Sequence, residues 1–273
     1  MVGQSLPLQS SAGGRVSMLL SALASLPVLL TMTTLTWLIS LPLRNVSIVD
    51  SVWSLLLAAA ALVYAWPLTA VQGARATVVL WLVLVWALRL SVYITVRNRG
   101  HGEDRRYQEI RRRNDPGFAF KSLYLVFALQ AGLAWIVSLA LLPALRSSSP
   151  WVWLDWLGLL LTVLGLLWES IADAQLAAFR ADPANRGGVM DRGLWRYSRH
   201  PNYFGECCVW WGLGFFALAT GSLWALVSPL LMTVLLLRVS GVSLLEKDIG
   251  ERRPAYRDYV MRTNAFLPWR PRT

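Results

Sequence analysis

The sequence predicts an all-α polytopic membrane protein with about seven transmembrane helices, and three observations carry that prediction. Apolar residues make up 56% of the 273, and mean hydropathy is positive at +0.48, more than a soluble core of this size can hide. Stretches of about 20 apolar residues follow one another, each long enough to cross roughly 30 Å of hydrocarbon as a helix. Lysine and arginine concentrate in alternate connections between those stretches.

The expected spans are residues 16–41, 46–66, 76–96, 122–145, 152–178, 202–220 and 223–243. The first follows a single basic residue, Arg15, and its apolar run is too long for a signal-peptide core, so it reads as a helix. Each span is rich in Leu, Ala, Val and Trp and is bounded by Pro, Gly or charge. A spanning segment must satisfy its own backbone, which makes helices the economical solution. The short alternating segments of a β-barrel are not visible. With no internal repeat and no accessory segment apparent, residues 1–273 are expected to form one integral membrane domain, a first helix at about 16–41 followed by a region over about 46–273.

Orientation follows from the cations. With the loop after the third span in the cytoplasm, 22 of the 26 Lys and Arg residues lie inside, only Arg15, Arg75 and Arg146 lie outside, and Arg89 falls within a span. This places the N-terminus outside and the C-terminus in the cytoplasm. A net charge of +11 then needs no nucleic-acid partner, because a cationic cytoplasmic face meets anionic lipid in any such protein. Cys207 and Cys208 are adjacent inside a span and read as packing residues, not as a disulfide. With only His101 and His200 and no ligand cluster around them, no metal is expected.

Charge in hydrocarbon is expensive and marks function by default. Asp50, Arg89, Glu169, Asp173, Glu206 and Arg238 are the candidates, all within a few turns of the cytoplasmic side, which predicts a polar chamber open to that face. The plainer alternative is a set of interhelical ion pairs, although two cations leave carboxylates over. Glu169, Asp173 and Arg180 are spaced i, i+4 and i+11 and share one helix face, flanked by Gln175 and Phe179. Carboxylates that end in an arginine suit a ligand with hydrogen-bonding groups at depth and phosphate at the surface.

The strongest motif is GLWRYSRHPNYFGE, residues 193–206. Pro201 suits the first position of a helix, with His200 near its cap and the free N–H groups of that end pointing to the cytoplasm. Together with Arg192, Arg196 and Arg199, such a helix end is a physically sufficient anion site, although His200 reads equally as a structural cap. Asn202 and Glu206 lie one turn apart on a face inside the membrane. No strand followed by GxGxxG occurs, so a soluble dinucleotide-binding domain is unsupported.

These residues carry a family resemblance. WESIADAQLAAFR (168–180) and GLWRYSRHPNYFGE resemble the steroid 5-alpha reductase superfamily, most closely its bacterial-type branch, DUF1295. Asp50–Trp53 (DSVW), Arg99–Arg111 (RGHGEDRRYQEIR) and the run from Ser240 to Pro268 are similar to that branch as well. The resemblance implies a seven-helix reductase that takes NADPH from the cytoplasmic side and reduces a carbon–carbon double bond conjugated to a carbonyl in a steroid-like or other lipid. It implies that Asn202, Tyr203 and Glu206 bind cofactor, with Asp173 and Arg180 from the preceding helix. Glu169 stands where the family has an amide-bearing residue. Arg196, Arg199 and His200, with arginines of the 99–113 loop, are expected near the phosphates, where arginine's fork favours NADP over NAD.

Reduction of that kind also needs a hydrogen-bond donor to the substrate carbonyl. Tyr93, one turn from Arg89, and Asp50, if protonated, are the catalytic candidates. Tyr107 is expected to stack on adenine or to anchor at the interface. A second resemblance, in RHPNY and the later E, K, G and YRDY, is to the isoprenylcysteine carboxyl methyltransferase group, which uses S-adenosylmethionine. A non-catalytic membrane protein is the third possibility, disfavoured by the lack of repeated halves. The expected partners are membrane lipid and a lipophilic small molecule, in a bacterial inner membrane in preference to the endoplasmic reticulum.

Overall fold

The structure, a computed structural model, describes residues 10–66, 73–239, 242, 246 and 255–272. It divides into two compact units, the first ending at Pro150 and the second starting at Trp151. All regular elements among the described residues are helical.

The first unit contains α1 (Ser10–Leu43), α2 (Ile48–Tyr64), α3 (Ala74–Asn98), α4 (Arg105–Asn114), α5 (Phe118–Ser138) and α6 (Leu141–Arg146). Its interior sets small and β-branched residues among large ones such as Tyr64, Trp86 and Phe127. The run Ala58, Ala60 and Ala61 of α2 is buried, as are Val79, Val83 and Ala87 of α3. Lipid tails give helices no hydrophobic reason to associate, so close packing and interhelical hydrogen bonds must hold them together. Both are present. The Ser54 hydroxyl donates to the Ala87 carbonyl at 2.8 Å and Ser91 donates to Ser51 at 2.7 Å, joining α2 to α3. The Tyr64 hydroxyl lies 2.7 Å from Ser138 Oγ and 3.3 Å from Ser25 Oγ, tying α2 to α5 and α1. Outward faces are apolar: Trp81, Val85, Leu88, Val92 and Val96 form an exposed stripe along α3.

The second unit contains α7 (Trp153–Ala181), α8 (Pro201–Leu218), α9 (Leu223–Arg238) and α10 (Ala255–Arg262). α7 shows the same polarity. Trp156, Leu160, Val163, Leu164 and Leu167 are exposed, while Asp155, Gly158, Thr162, Gly165, Glu169, Ala172 and Asp173 are buried at helical spacing. That buried face meets α8, antiparallel to it, through glycines. A Cβ on Gly158 would stand 2.8 Å from the Gly212 carbonyl oxygen, and one on Gly165 would stand 2.7 Å from that of Gly205. Side chains are thus excluded at both levels of the contact.

α1, α3, α5 and α7 are long and apolar enough to cross a membrane, which makes the chain an integral membrane protein. α2 and α9 are shorter apolar helices. The fourth expected span, 122–145, is divided: α5 begins at Phe118, passes through a π-helical turn at Leu123–Ala128 and ends at Ser138, and α6 is separate. The last expected span, 223–243, is helical to Val239, with Arg238 exposed in a terminal π-helical turn, and its end falls largely outside the described residues.

Candidate functional site

In the second unit the predicted carboxylate face exists and is buried. Glu169 is 2% exposed, Asp173 3% and Glu206 7%. Their level is set by the helix contact: a Cβ on Gly205 would touch the Glu169 backbone nitrogen at 2.6 Å, so α8 presses directly on α7 where Glu169 projects. One turn nearer the helix end, the Asn202 amide donates to Asp173 Oδ1 at 3.2 Å. The other amide atom, Asn202 Oδ1, is buried with no hydrogen-bond partner among the described residues. A buried acceptor costs free energy unless a donor meets it, so this cluster suits a ligand group that brings N–H or O–H. The glycines of NYFGE and of the preceding helix permit the approach that brings these side chains together.

Pro201 occupies the first position of α8, as the sequence predicts, and His200 is its N-cap residue. The His200 side chain makes no capping hydrogen bond. Its Nε2 lies 3.0 Å from Glu246 Oε1 and its ring stacks on Tyr203 at 5.5 Å between centroids. Arg199 is likewise engaged. Its Nε and Nη2 donate to the two oxygens of Glu246, each at 2.7 Å, and Nη1 donates to the carbonyls of Val260, at 3.2 Å, and Thr263. Its backbone N–H donates to Asn264 at 2.9 Å. Burial would raise the Glu246 carboxyl, but the hydrogen bonds from Arg199 and His200 outweigh it and hold it down at about 2. The Tyr259 hydroxyl donates to the carbonyls of Trp195 and Ser198, and burial pushes that phenol well up.

The RYSRH segment is therefore clasped by the chain's C-terminal part. Arg180, Arg192 and Arg196 are exposed. Glu246 is the later E of the second resemblance but is not among the predicted site residues: it stands 47 positions from Arg199, and nothing local marks the pair.

In the first unit Asp50 stands in the first turn of α2 and both its oxygens are occupied. Oδ1 accepts from the Tyr107 hydroxyl at 2.6 Å and Oδ2 from Arg106 Nη2 at 2.7 Å. Asp104 caps α4, accepting from the Arg106 backbone and from its Nε, both at 2.9 Å, and its own N–H donates to Ser47 Oγ at 2.7 Å. Glu103 accepts from Arg111 on both oxygens at 2.8 Å and from the Val46 N–H at 2.9 Å. The basic loop is thus a docked helix and not a solvated arm.

Tyr107 lies in a core with Val46, Val49, Phe118, Val126 and Phe127, where its ring is enclosed and unavailable to adenine or to the interface. Burial, then the adjacent Asp50 carboxylate, hold its phenol far above its ordinary range, so it stays a donor. Tyr107→Phe is expected to leave the ring in place and strand one Asp50 oxygen, costing about 1–3 kcal/mol. Thermal unfolding of the purified protein checks this, and an unchanged Tm would show that the hydroxyl contributes nothing to docking α4. Tyr93 is half-buried on α3, with the Arg97 guanidinium 5.7 Å from its ring centroid. Arg89 is half-buried one turn earlier.

The fold and these clusters define an all-helical integral membrane protein with buried carboxylates on two of its helices. Residues 36–263 match DUF1295, described as a protein of unknown function, and the chain belongs to that family. The match takes in Asp50, Tyr93, Asp173, Asn202 and Glu206. No curated protein and no solved structure matches the chain.

Proposed function

We propose that this protein is a membrane-embedded, NADPH-dependent reductase of a conjugated carbon–carbon double bond in a lipid, acting from the cytoplasmic side. The observation that carries the proposal is the Asp173–Asn202 pair, with buried Glu169 and Glu206 on the same two helices, in which the Asn202 amide oxygen is enclosed without a donor among the described residues. A carboxamide or ribose hydroxyl fits that donor demand, and the residues are those through which the chain resembles the steroid 5-alpha reductases. Asp173, Asn202 and Glu206 would hold the polar groups of NADPH, with Glu169 and Tyr203 beside them and Arg180, Arg196 and the His200 end of α8 toward its phosphates. When bound, NADPH would supply a hydride.

Within the first unit, Asp50 accepts on both oxygens, so the proton donor to a substrate carbonyl is assigned to the Tyr93 hydroxyl. Seven spans, an outside N-terminus, a cytoplasmic C-terminus and a bacterial inner membrane belong to the same reading, supported by the distribution of Lys and Arg.

A second reading, an S-adenosylmethionine-dependent methyltransferase, gains from one observation. Glu246 neutralises Arg199, which removes a cation from the phosphate-directed set, and adenosylmethionine has no phosphate. Thermal shift of the detergent-purified protein with each cofactor separates the two. Stabilisation by NADPH, lost in Asn202→Ala and Glu206→Gln, is the expected result; at a concentration of about 100 Kd it would amount to about 2.7 kcal/mol. Stabilisation by S-adenosylmethionine alone would replace the reductase with the methyltransferase. A folded protein that responds to neither would sink both.

A further inference from the structure

The end of the first unit away from α4 holds a groove that the proposed chemistry does not use. It runs along α1 and the C-terminal half of α2, encloses about 700 Å³ and has apolar walls of Leu20, Ala24, Val28, Leu62 and Val63. That volume falls among those of ligand clefts, roughly 300–1,000 Å³. Its polar residues are Ser17, Ser21 and one cation, Arg146. Arg146, the last residue of α6, lines the groove, and its Nη2 donates to Ser21 Oγ. Its Nε is enclosed and has no hydrogen-bond partner among the described residues. Among the described residues, no acidic side chain lines the groove.

Trp66, 68% exposed, stands at the same end, and a tryptophan there marks the level where hydrocarbon gives way to headgroups. A partly exposed guanidinium at headgroup level, above an apolar trough and without a carboxylate paired to it among the described residues, complements one kind of occupant. It must be an amphiphile, with an anion at one end and a hydrocarbon chain at the other.

We propose that this groove is a binding site for an anionic glycerophospholipid, with one acyl chain lying along α1 and α2 and the phosphate on Arg146. The proposal is independent of the reductase reading. Zwitterionic lipid carries the same phosphate but adds a cation that the Arg146 field disfavours, so the site discriminates by net headgroup charge.

Native mass spectrometry of the delipidated full-length protein, titrated with phosphatidylglycerol or phosphatidylcholine of identical chains, tests this. Wild type is expected to retain phosphatidylglycerol roughly ten-fold better, the order of one like-charge repulsion near a protein surface. Excess inorganic phosphate is expected not to displace it, because the chain supplies much of the affinity. Arg146→Gln should bring the ratio close to one, and Arg146→Lys should keep most of it. Ala24→Trp, which fills the trough and leaves the guanidinium intact, should lose the bound lipid.

Equal retention of the two lipids by wild type, displacement by phosphate, or an unchanged preference in Arg146→Gln would each overturn the proposal. If Arg146→Gln lacks a cooperative melt, Ala24→Trp decides alone: loss of phosphatidylglycerol upholds the site, and wild-type retention overturns it.

Discussion

Gly165→Leu is expected to prevent α7 and α8 from closing on one another. A Cβ at this position would already lie 2.7 Å from the Gly205 carbonyl oxygen and 2.7 Å from the Val209 nitrogen, both backbone atoms that cannot rotate aside. Overpacking a well-packed core costs typically about 1–3 kcal/mol. With backbone on the opposing side and three further carbons beyond Cβ, the upper end or more is expected here. At about 2–4 °C per kcal/mol, Tm should fall by at least about 6 °C. The comparison is Gly132→Ala on α5, where an added Cβ meets nothing within 4 Å and Tm should hold or rise slightly. Equal behaviour of the two variants would show that the glycine contact does not govern this helix pair.

Arg199→Ala is expected to have the next largest effect, and its signature is local. The side chain serves Glu246 and two backbone carbonyls at once, so its removal takes from the carboxylate its two hydrogen bonds of 2.7 Å and leaves two acceptors unmet. Breaking a buried pair from one side costs about 3–5 kcal/mol, and the partial exposure of Glu246 argues for the lower figure. Limited proteolysis should cut the released region around α10 in the variant and spare it in wild type.

Glu246→Gln gives the matching pH test. The Glu246 carboxyl titrates at about 2 in the fold and at an ordinary 4.5 when released, so its stabilisation is complete above the ordinary value and is lost as pH falls toward 2. The Tm difference between wild type and Glu246→Gln should therefore be constant at neutral pH and narrow below about 5. A difference that persists undiminished at pH 3 would exclude the carboxylate as its source.

The membrane class was legible because it depends on long apolar runs, and these survive as α1, α3, α5 and α7. Faces were legible for the same reason that spacing is: Glu169 and Asp173, four apart, are both buried on α7. Pro201 announced the start of α8 through its fixed backbone angle. What stayed hidden required tertiary knowledge. Arg75, placed in an outside loop by its position, is 1% exposed and donates to Ser147, Ser149 and Pro150. The arginines of the 99–113 loop are expected near phosphates from the sequence, yet two of them pair with carboxylates of the chain itself, Arg106 with Asp50 of α2 and Arg111 with Glu103. Arg199 has the composition of an anion ligand, and only the distant Glu246 reveals its other employment.

The glycine-lined pairing of α7 with α8 also bears on how the chain enters its membrane. Between them these helices carry Glu169, Asp173, Asn202 and Glu206, and a carboxylate inserted alone at the centre of a bilayer costs about 2.5–3.5 kcal/mol on translocon scales. The two helices are neighbours in sequence and antiparallel, and Asn202 already bonds to Asp173. Insertion as a preformed hairpin would let each helix shield the other's polar groups during synthesis.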